Sequence, residues 1–227
     1  MPAPIKLTAL DWGGRVVQGL GVHGLVSGAA GTTASWQVEV FALVWVACIL
    51  PTLFHLLTHP ALLRRRVRVG LLAEPEPRQK LIISLLLLCV AALSVVLVLD
   101  SDFGWSHVPA YIVPIGDLLV AAGLVLIWLV FRANPFAAAT VNVETEQTVI
   151  STGPYALIRH PMYSGGLLLF LGVPVALGSW WGLVLFLPLL VLIIWRLKDE
   201  ERYLSNHLPG YRDYCAKVTH RLIPSIW

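Results

Sequence analysis

Long apolar runs separated by short polar stretches dominate this chain. A helix needs about 20 mostly apolar residues to cross the hydrocarbon core of a bilayer, and three runs have that length, at about 38–57, 81–99 and 108–131. A longer run at 167–195 is interrupted at 178–182, GSWWG, where Gly and Ser favour a break and two Trp suit a membrane–water boundary. The pattern predicts an all-α integral-membrane protein with about five transmembrane helices. The last two form a tight hairpin with arms of about 15 residues each, which is short for a full span.

The composition supports a membrane protein. Of the 227 residues, 57% are hydrophobic and only 13% are charged, whereas a soluble domain carries about 25% charged residues. The net charge of +3 is too small to indicate a nucleic-acid partner. Cys48, Cys89 and Cys215 form no C-x-x-C pair, so we expect neither a disulfide framework nor a cysteine zinc site.

Basic residues predict the orientation, because cytoplasmic loops of membrane proteins are enriched in Lys and Arg. They cluster between the first two helices and in the C-terminal tail, whereas the 100–107 loop, DSDFGWSH, has two Asp and no Lys or Arg. We expect the N-terminus outside and the C-terminus cytoplasmic, in a bacterial-type inner membrane. The chain then forms one membrane domain, 1–227: an interfacial segment 1–37, three helices in 38–131, and a loop, hairpin and tail in 132–227.

Several motifs have ordinary structural explanations. The glycines of 19–24 match G-x-G-x-x-G, but no strand precedes them, so a nucleotide loop is not indicated. His55 and His59 share a helix face and could bind haem or a metal, but no third ligand follows at a fixed spacing and we predict no metal site. Asp117 within the third helix is either functional or a carboxyl near the outer boundary.

The stretch 151–166, STGPYALIRHPMYSGG, lies between a polar loop and the fourth helix. Pro161 suits the first turn of a helix that begins at about Met162 or Tyr163. The loop would then bring aromatic and basic side chains to a helix N-terminus, where backbone N–H groups favour an anionic ligand. A basic interfacial loop anchored by Tyr is the alternative.

A second group of charges ends the fifth helix. Arg196 and Glu200 are four residues apart and share a face. They form either a solvated ion pair or, because the hairpin makes helices four and five neighbours, part of a site with the 147–163 loop.

The C-terminal third resembles the isoprenylcysteine carboxyl methyltransferases and the related phospholipid methyltransferases. The shared pattern is Gly153 with Tyr155, the run H-P-x-Y-x-G at 160–165, an apolar hairpin, E-E-x-x-L at 200–204, then Gly210 or Tyr211 with Tyr214, and R-x-x-P at 221–224. The resemblance covers about 80 residues in order, which is more specific than one short motif. Residues 1–130 resemble the family only in helix count.

The resemblance implies S-adenosylmethionine as cofactor, without a Rossmann domain. It also implies a set of cofactor contacts, namely Gln147, Thr148, Val149, Ile150, Gly153, Tyr155, His160, Pro161, Met162, Tyr163 and Glu200. Arg196 would lie at the acceptor and act in catalysis with Glu200. Methyl transfer needs positioning and a dry site more than covalent help, and an Arg can orient a carboxylate.

The expected reaction is methylation of a lipid-like or isoprenoid-bearing acceptor, most simply at a carboxylate. Methylation of a phospholipid or other amine is the first alternative, and it would need a nearby base. An NADPH-dependent membrane reductase is the second, since sterol-type reductases share a similar C-terminal pocket. A haem-binding membrane protein that uses His55 and His59 is the third.

Overall fold

The structure, a computed structural model, describes residues 36–67, 76–137, 143 and 147–227. Within these residues the chain is all-helical, with one 3-10 turn at Gly153–Ala156. Its helices are α1 Trp36–Thr58, α2 Pro60–Val67, α3 Pro77–Phe103, α4 Val113–Ala133, α5 Pro161–Ala176, α6 Trp181–Val184, α7 Phe186–His207 and α8 Tyr211–Lys217. The predicted interfacial segment 1–37 lies outside the described residues, apart from Trp36 and Gln37, which begin α1.

Four described helical segments are long and apolar enough to cross a membrane. They are α1, α3, α4 and the continuous segment Trp181–His207, whereas α5 is a shorter apolar helix of 16 residues. Many large apolar side chains on these helices face outward, such as Leu43, Phe54 and Leu118. Because an outer surface of this kind is stable in lipid and not in water, the predicted all-α integral-membrane fold is confirmed.

Prolines account for several helix boundaries. Helix α3 begins at Pro77 and α5 begins at Pro161, each as the first helical residue, where the missing N–H has no partner to lose. Helix α4 begins at Val113 and not at 108, because Pro109 and Ile112 form a turn closed by an N–H···O bond of 2.8 Å. Each arm of the hairpin was predicted to have about 15 residues. This is wrong for the second arm, which spans 27 residues.

The hairpin turn is fixed by polar contacts at the end of α3. Gly178 has φ +83°, a left-handed conformation that suits glycine. The Asp100 carboxylate accepts hydrogen bonds from the Ser106 hydroxyl, at 2.6 Å, and from the Ser179 hydroxyl. The Ser106 hydroxyl in turn accepts from the Trp180 N–H at 2.9 Å. Asp100 is therefore a buried carboxylate with a structural role, because it ties the hairpin turn to α3.

Helix α5 packs most closely along α4, through small residues on both helices. A Cβ atom added at Gly172 would lie 2.7 Å from the Gly116 carbonyl oxygen, and one added at Gly123 would lie 2.7 Å from the Gly165 carbonyl oxygen. Such contacts let two membrane helices approach at backbone distance. Gly165 faces α4, whereas Gly166 has open space around it.

We expect Gly172→Ala to destabilise the protein, by about 1–3 kcal/mol, since its new methyl group meets backbone atoms that cannot move aside. Gly166→Ala in the same helix is the matched control, and we expect it to be neutral or to stabilise by up to about 1 kcal/mol. Thermal unfolding of the two purified variants in detergent measures the difference. Equal stability of the two variants would contradict the close α4–α5 contact.

Candidate functional site

Arg196 lies at the centre of a polar network that joins three helices. Its side chain is on α7 and is only 7% exposed. Its Nε donates to the Tyr163 hydroxyl on α5 at 3.0 Å, and its Nη1 donates to Oε1 of Gln79 on α3 at 2.7 Å. The Tyr163 hydroxyl donates in turn to a carboxylate oxygen of Glu200. The structure therefore brings Arg196, Glu200 and Tyr163 together, and a solvated ion pair does not describe Arg196.

Glu201, the neighbour of Glu200, anchors the loop before α5 and the C-terminal tail. Its carboxylate lies 2.8 Å from Arg159 Nη1, 3.3 Å from His160 Nε2 and 2.9 Å from Arg221 Nε. Glu200 and Glu201 are adjacent in sequence, so they point to different faces of α7. His160, expected at the cofactor, is thereby held by Glu201, and its ring stacks on Tyr163 with centroids 5.7 Å apart.

The C-terminal tail runs beside the start of α5. The backbone N–H groups of Arg159 and His160 donate to the carbonyls of His220 and Arg221, each at 2.9 Å. The Ser164 hydroxyl donates to the Leu222 carbonyl at 2.6 Å. These bonds satisfy polar groups where the helix begins and fix the position of Tyr163, which lies between His160 and Ser164 in sequence.

Tyr155 is held from both ends. Its hydroxyl accepts from Asn134 Nδ2 at 3.0 Å, and its carbonyl accepts from the Tyr214 hydroxyl at 2.8 Å. Burial raises the pKa of Tyr155 to about 12, and the nearby Glu200 carboxylate adds to this shift, while Asn134 and Arg66 oppose it. Tyr155 therefore lies close both to Glu200 and to Asn134, the residue that follows the C-terminal end of α4.

Tyr211 and Arg66 are two further polar side chains near this network. Burial raises the pKa of Tyr211, and the neighbouring Cys215 and Glu200 add to the rise. The Tyr211 hydroxyl is buried without a hydrogen-bond partner among the described residues. Arg66 on α2 lies near Tyr163 and Arg196, with its guanidinium 4.8 Å from the Phe131 ring centroid, and burial lowers its pKa to about 10.

The remaining expected cofactor contacts lie along the loop that leads to α5. Gln147, Thr148, Val149 and Ile150 have no regular secondary structure, and Val149 packs against the cluster of Leu208, Tyr211 and Tyr214. Gly153 has φ +58° and opens the 3-10 turn. Pro161 is buried, and Met162, like Tyr155, packs against the cluster that contains Phe131. Of the expected contacts, Tyr163 and Glu200 are hydrogen-bonded within the network of Arg196.

Gln79 and Arg66 are the site residues that sequence reasoning missed. Gln79 is a polar residue at the start of an apolar helix, and Arg66 is one of several consecutive arginines. Neither stands out from the polar and charged residues that are ordinary at a membrane interface. A fully buried amide at 0% exposure is evident only when the helices are assembled. Tyr211 was recognised only as a motif position.

The other polar candidates from the sequence are His55, His59 and Asp117. His55 and His59 have ring centroids 4.1 Å apart, and His55 Nε2 lies 3.2 Å from the Phe131 carbonyl oxygen. Among the described residues no group of three His, Cys, Asp or Glu could hold a metal ion. Asp117 is the fifth residue of α4, at the opposite end of the bundle, and both its carboxylate oxygens lack a hydrogen-bond partner in the described part of the chain.

Comparison with known proteins finds a matched segment that contains part of the site. Residues 111–209 match the model of the phospholipid methyltransferase family, so the resemblance seen in the sequence is confirmed over that range. The matched range includes Tyr163, Arg196 and Glu200 but not Arg66 or Gln79.

Two curated relatives match less than half of this chain. The Delta(14)-sterol reductase of Mus musculus is 28% identical over 105 residues, which are 43% of this chain and 25% of the reductase. The cobalt-zinc-cadmium resistance protein CzcN of Cupriavidus metallidurans is 26% identical over 106 residues, 46% of this chain and 49% of that protein. The matched segment is thus a quarter of one relative and about half of the other.

The pKa of Tyr155 predicts a loss of stability at alkaline pH. An unfolded tyrosine has a pKa near 10, so between pH 10 and about 12 the unfolded state releases a proton that the folded state keeps. The free energy of unfolding should fall over this window, by about 2 kcal/mol from Tyr155. Tyr155→Phe should be about 1 kcal/mol less stable at neutral pH, through loss of the Asn134 bond, but should lose less stability between pH 10 and 12.

Chemical denaturation at a series of pH values measures this difference. Tyr111→Phe is the control, since Tyr111 is 80% exposed, and it should follow the wild-type curve. Parallel curves for wild type and Tyr155→Phe would contradict the burial of the Tyr155 hydroxyl.

Proposed function

We propose that this protein is an integral-membrane methyltransferase that uses S-adenosylmethionine and methylates a lipid-like or isoprenoid-bearing acceptor at a carboxylate. The observation that supports this most is the network of Tyr163, Arg196 and Glu200. It joins a buried cation, a hydroxyl and a carboxylate at one end of the bundle, inside the segment that matches phospholipid methyltransferases.

The residues present fit such a cofactor. The Tyr211 hydroxyl and Arg159 Nε are buried polar atoms without a hydrogen-bond partner among the described residues, which is costly unless a ligand or water satisfies them. Tyr155, His160 and Tyr163 supply aromatic faces, and the Glu200 carboxylate can accept bonds from amino or hydroxyl groups. The 147–150 loop packs beside Tyr211 through Val149.

The chain's own groups suit transfer to a carboxylate. When bound, S-adenosylmethionine supplies an electrophilic methyl group on a sulfonium. An acceptor carboxylate is already ionised at neutral pH, so its oxygen needs no general base. Arg196 can orient that carboxylate, while Tyr163 and Gln79 hold the guanidinium in place. The surrounding apolar helices keep water from the reacting groups.

The proposed orientation follows from charge. The network lies at the bundle end that carries the arginines of α2 and of the C-terminal segment. Cytoplasmic loops favour such charges, so we place the site on the cytoplasmic side of a bacterial-type inner membrane. The acceptor's apolar tail would remain in the adjacent lipid.

A reductase is the second candidate, and the match to a Delta(14)-sterol reductase favours it. In that case the Tyr163 hydroxyl, bonded to Arg196 and Glu200, would be the proton donor to a reduced substrate. Both candidates use the same network, so cofactor binding separates them.

The first test is titration calorimetry on purified protein in detergent. We expect S-adenosylhomocysteine, the demethylated cofactor, to bind, and Glu200→Gln to weaken its binding about tenfold, because a bond to a charged group is lost. His160→Ala should also weaken it. Arg196→Ala should change its affinity less than about twofold and lower turnover about 100-fold, since Arg196 acts on the acceptor.

Several outcomes would contradict this assignment. Failure of folded wild-type protein to bind S-adenosylhomocysteine would refute the methyltransferase, and tight NADPH binding would favour the reductase. Equal loss of cofactor affinity and turnover in Arg196→Ala would refute the separate roles of Arg196 and Glu200.

The second test identifies the acceptor group. Native-host membranes that contain the protein are incubated with S-adenosylmethionine labelled in its methyl group, and the lipid and protein fractions are treated with mild base. We expect the incorporated label to be released, since base hydrolyses a methyl ester and leaves an N-methyl group intact. Arg196→Ala membranes serve as the control for background transfer. Base-stable label would favour the amine alternative.

A further inference from the structure

Gln79 connects α3 to Arg196. It lies in the first turn of α3, is fully buried, and belongs to the part of the chain outside the segment that matches phospholipid methyltransferases. Its Oε1 accepts from Arg196 Nη1 at 2.7 Å, and its Nε2 donates to Asp199 Oδ2 at 2.7 Å. One amide thus joins two side chains that are three residues apart on α7.

This arrangement requires an amide. An amide accepts at one end and donates at the other, so it can bond both a guanidinium and a carboxylate. A carboxylate at position 79 could accept from Arg196 but would repel Asp199, and an apolar residue could bond neither. The orientation of the amide is fixed by its partners, because the reverse orientation would direct its N–H groups at the Arg196 N–H groups.

The bonds also restrict how Arg196 can move. Arg196 Nε is held by Tyr163 on α5, and its Nη1 is held by Gln79 on α3. Two anchors on different nitrogens fix the plane of the guanidinium, which one anchor would leave free to rotate. Asp199 strengthens the second anchor, since linked hydrogen bonds polarise one another.

We propose that Gln79 is a positioning residue, which sets the plane of the Arg196 guanidinium for an acceptor carboxylate and takes its own orientation from Asp199. This inference rests on the proposed methyltransferase function. It assigns a role in acceptor recognition to α3, and so to the half of the chain whose sequence carries no family motif.

The test compares three changes in the full-length protein in membranes. Gln79→Leu removes both bonds, and Gln79→Glu places a carboxylate against Asp199. In the double change Gln79→Glu with Asp199→Asn, the carboxylate now at position 79 can accept from Arg196 and from the amide now at position 199. Both bonds can therefore form, with the direction of the second reversed and the negative charge moved from position 199 to position 79. Lys80→Gln, at the adjacent exposed position, is the control and should behave as wild type.

Three quantities are measured for each variant. They are the affinity for S-adenosylhomocysteine, the thermal unfolding temperature in detergent, and transfer of labelled methyl groups to increasing amounts of native-host membrane lipid. For Gln79→Leu we expect the lipid concentration at half-maximal transfer to rise about tenfold, the effect of losing one charge-assisted bond. The affinity for S-adenosylhomocysteine should change less than about twofold.

The exchanged pair distinguishes positioning from simple stability. We expect the double variant to regain the unfolding temperature that Gln79→Glu loses. It should still require about tenfold more lipid, because a carboxylate now pairs directly with Arg196 and competes with the acceptor.

The outcomes separate this inference from the function on which it rests. A wild-type protein that binds no S-adenosylhomocysteine and transfers no label overturns both. An active wild type with Gln79→Leu that matches it overturns the role of Gln79 alone. Gln79→Leu that loses cofactor affinity, maximal transfer and unfolding temperature together would show a structural role and would also overturn it.

Discussion

The buried guanidinium of Arg196 is the constraint on which the described assembly depends. A charge removed from water is stable only when hydrogen-bonding groups surround it closely, and here those groups come from separate helices. Tyr163 on α5 and Gln79 on α3 must both arrive at bonding distance of α7. The hydrogen bonds of Arg196 therefore fix how α3, α5 and α7 are positioned relative to one another along the bundle.

Two adjacent carboxylates beside Arg196 bind different partners. Glu200 accepts from Tyr163 and faces the interior of the network, whereas Glu201 binds Arg159, His160 and Arg221. Neighbouring helical residues point in different directions. One face of α7 therefore places Glu200 in the site, and another places Glu201 against the C-terminal tail. The tail in turn fixes the start of α5, so Tyr163 is held in place from two sides.

The glycine contacts between α4 and α5 are the apolar counterpart of this network. Gly116, Gly123, Gly165 and Gly172 let the two backbones approach closely, and this holds α5 as a short helix against a longer one. Met162, at the start of α5, then packs against the cluster that contains Phe131 and lies 3.5 Å from Arg66 Nη1, at the same end of the bundle. The uncharged packing of α5 against α4 therefore determines where the charged site lies.

The sequence by itself determined the class of fold and the segment that resembles a known family. Apolar length, the break at 178–182 and the proline at 161 follow from local rules that need no partner helix, and the spaced motifs of 153–224 indicated the methyltransferase family. The sequence also indicated that Arg196 and Glu200 would lie on one face at the end of the last long helix.

Only the tertiary structure decided which polar side chains are buried together. Gln79 and Arg66 reach the site from helices whose sequences show ordinary interfacial charges. Glycines 165 and 166 look alike in the sequence, yet only the first faces a neighbouring helix. The apolar pattern states that a helix face is buried in protein or lipid and not which helix lies against it, because lipid and protein interiors are similarly apolar. Which helix lies there depends on how closely two helix backbones can approach and on directional hydrogen bonds between them. Both exist only once the helices are assembled.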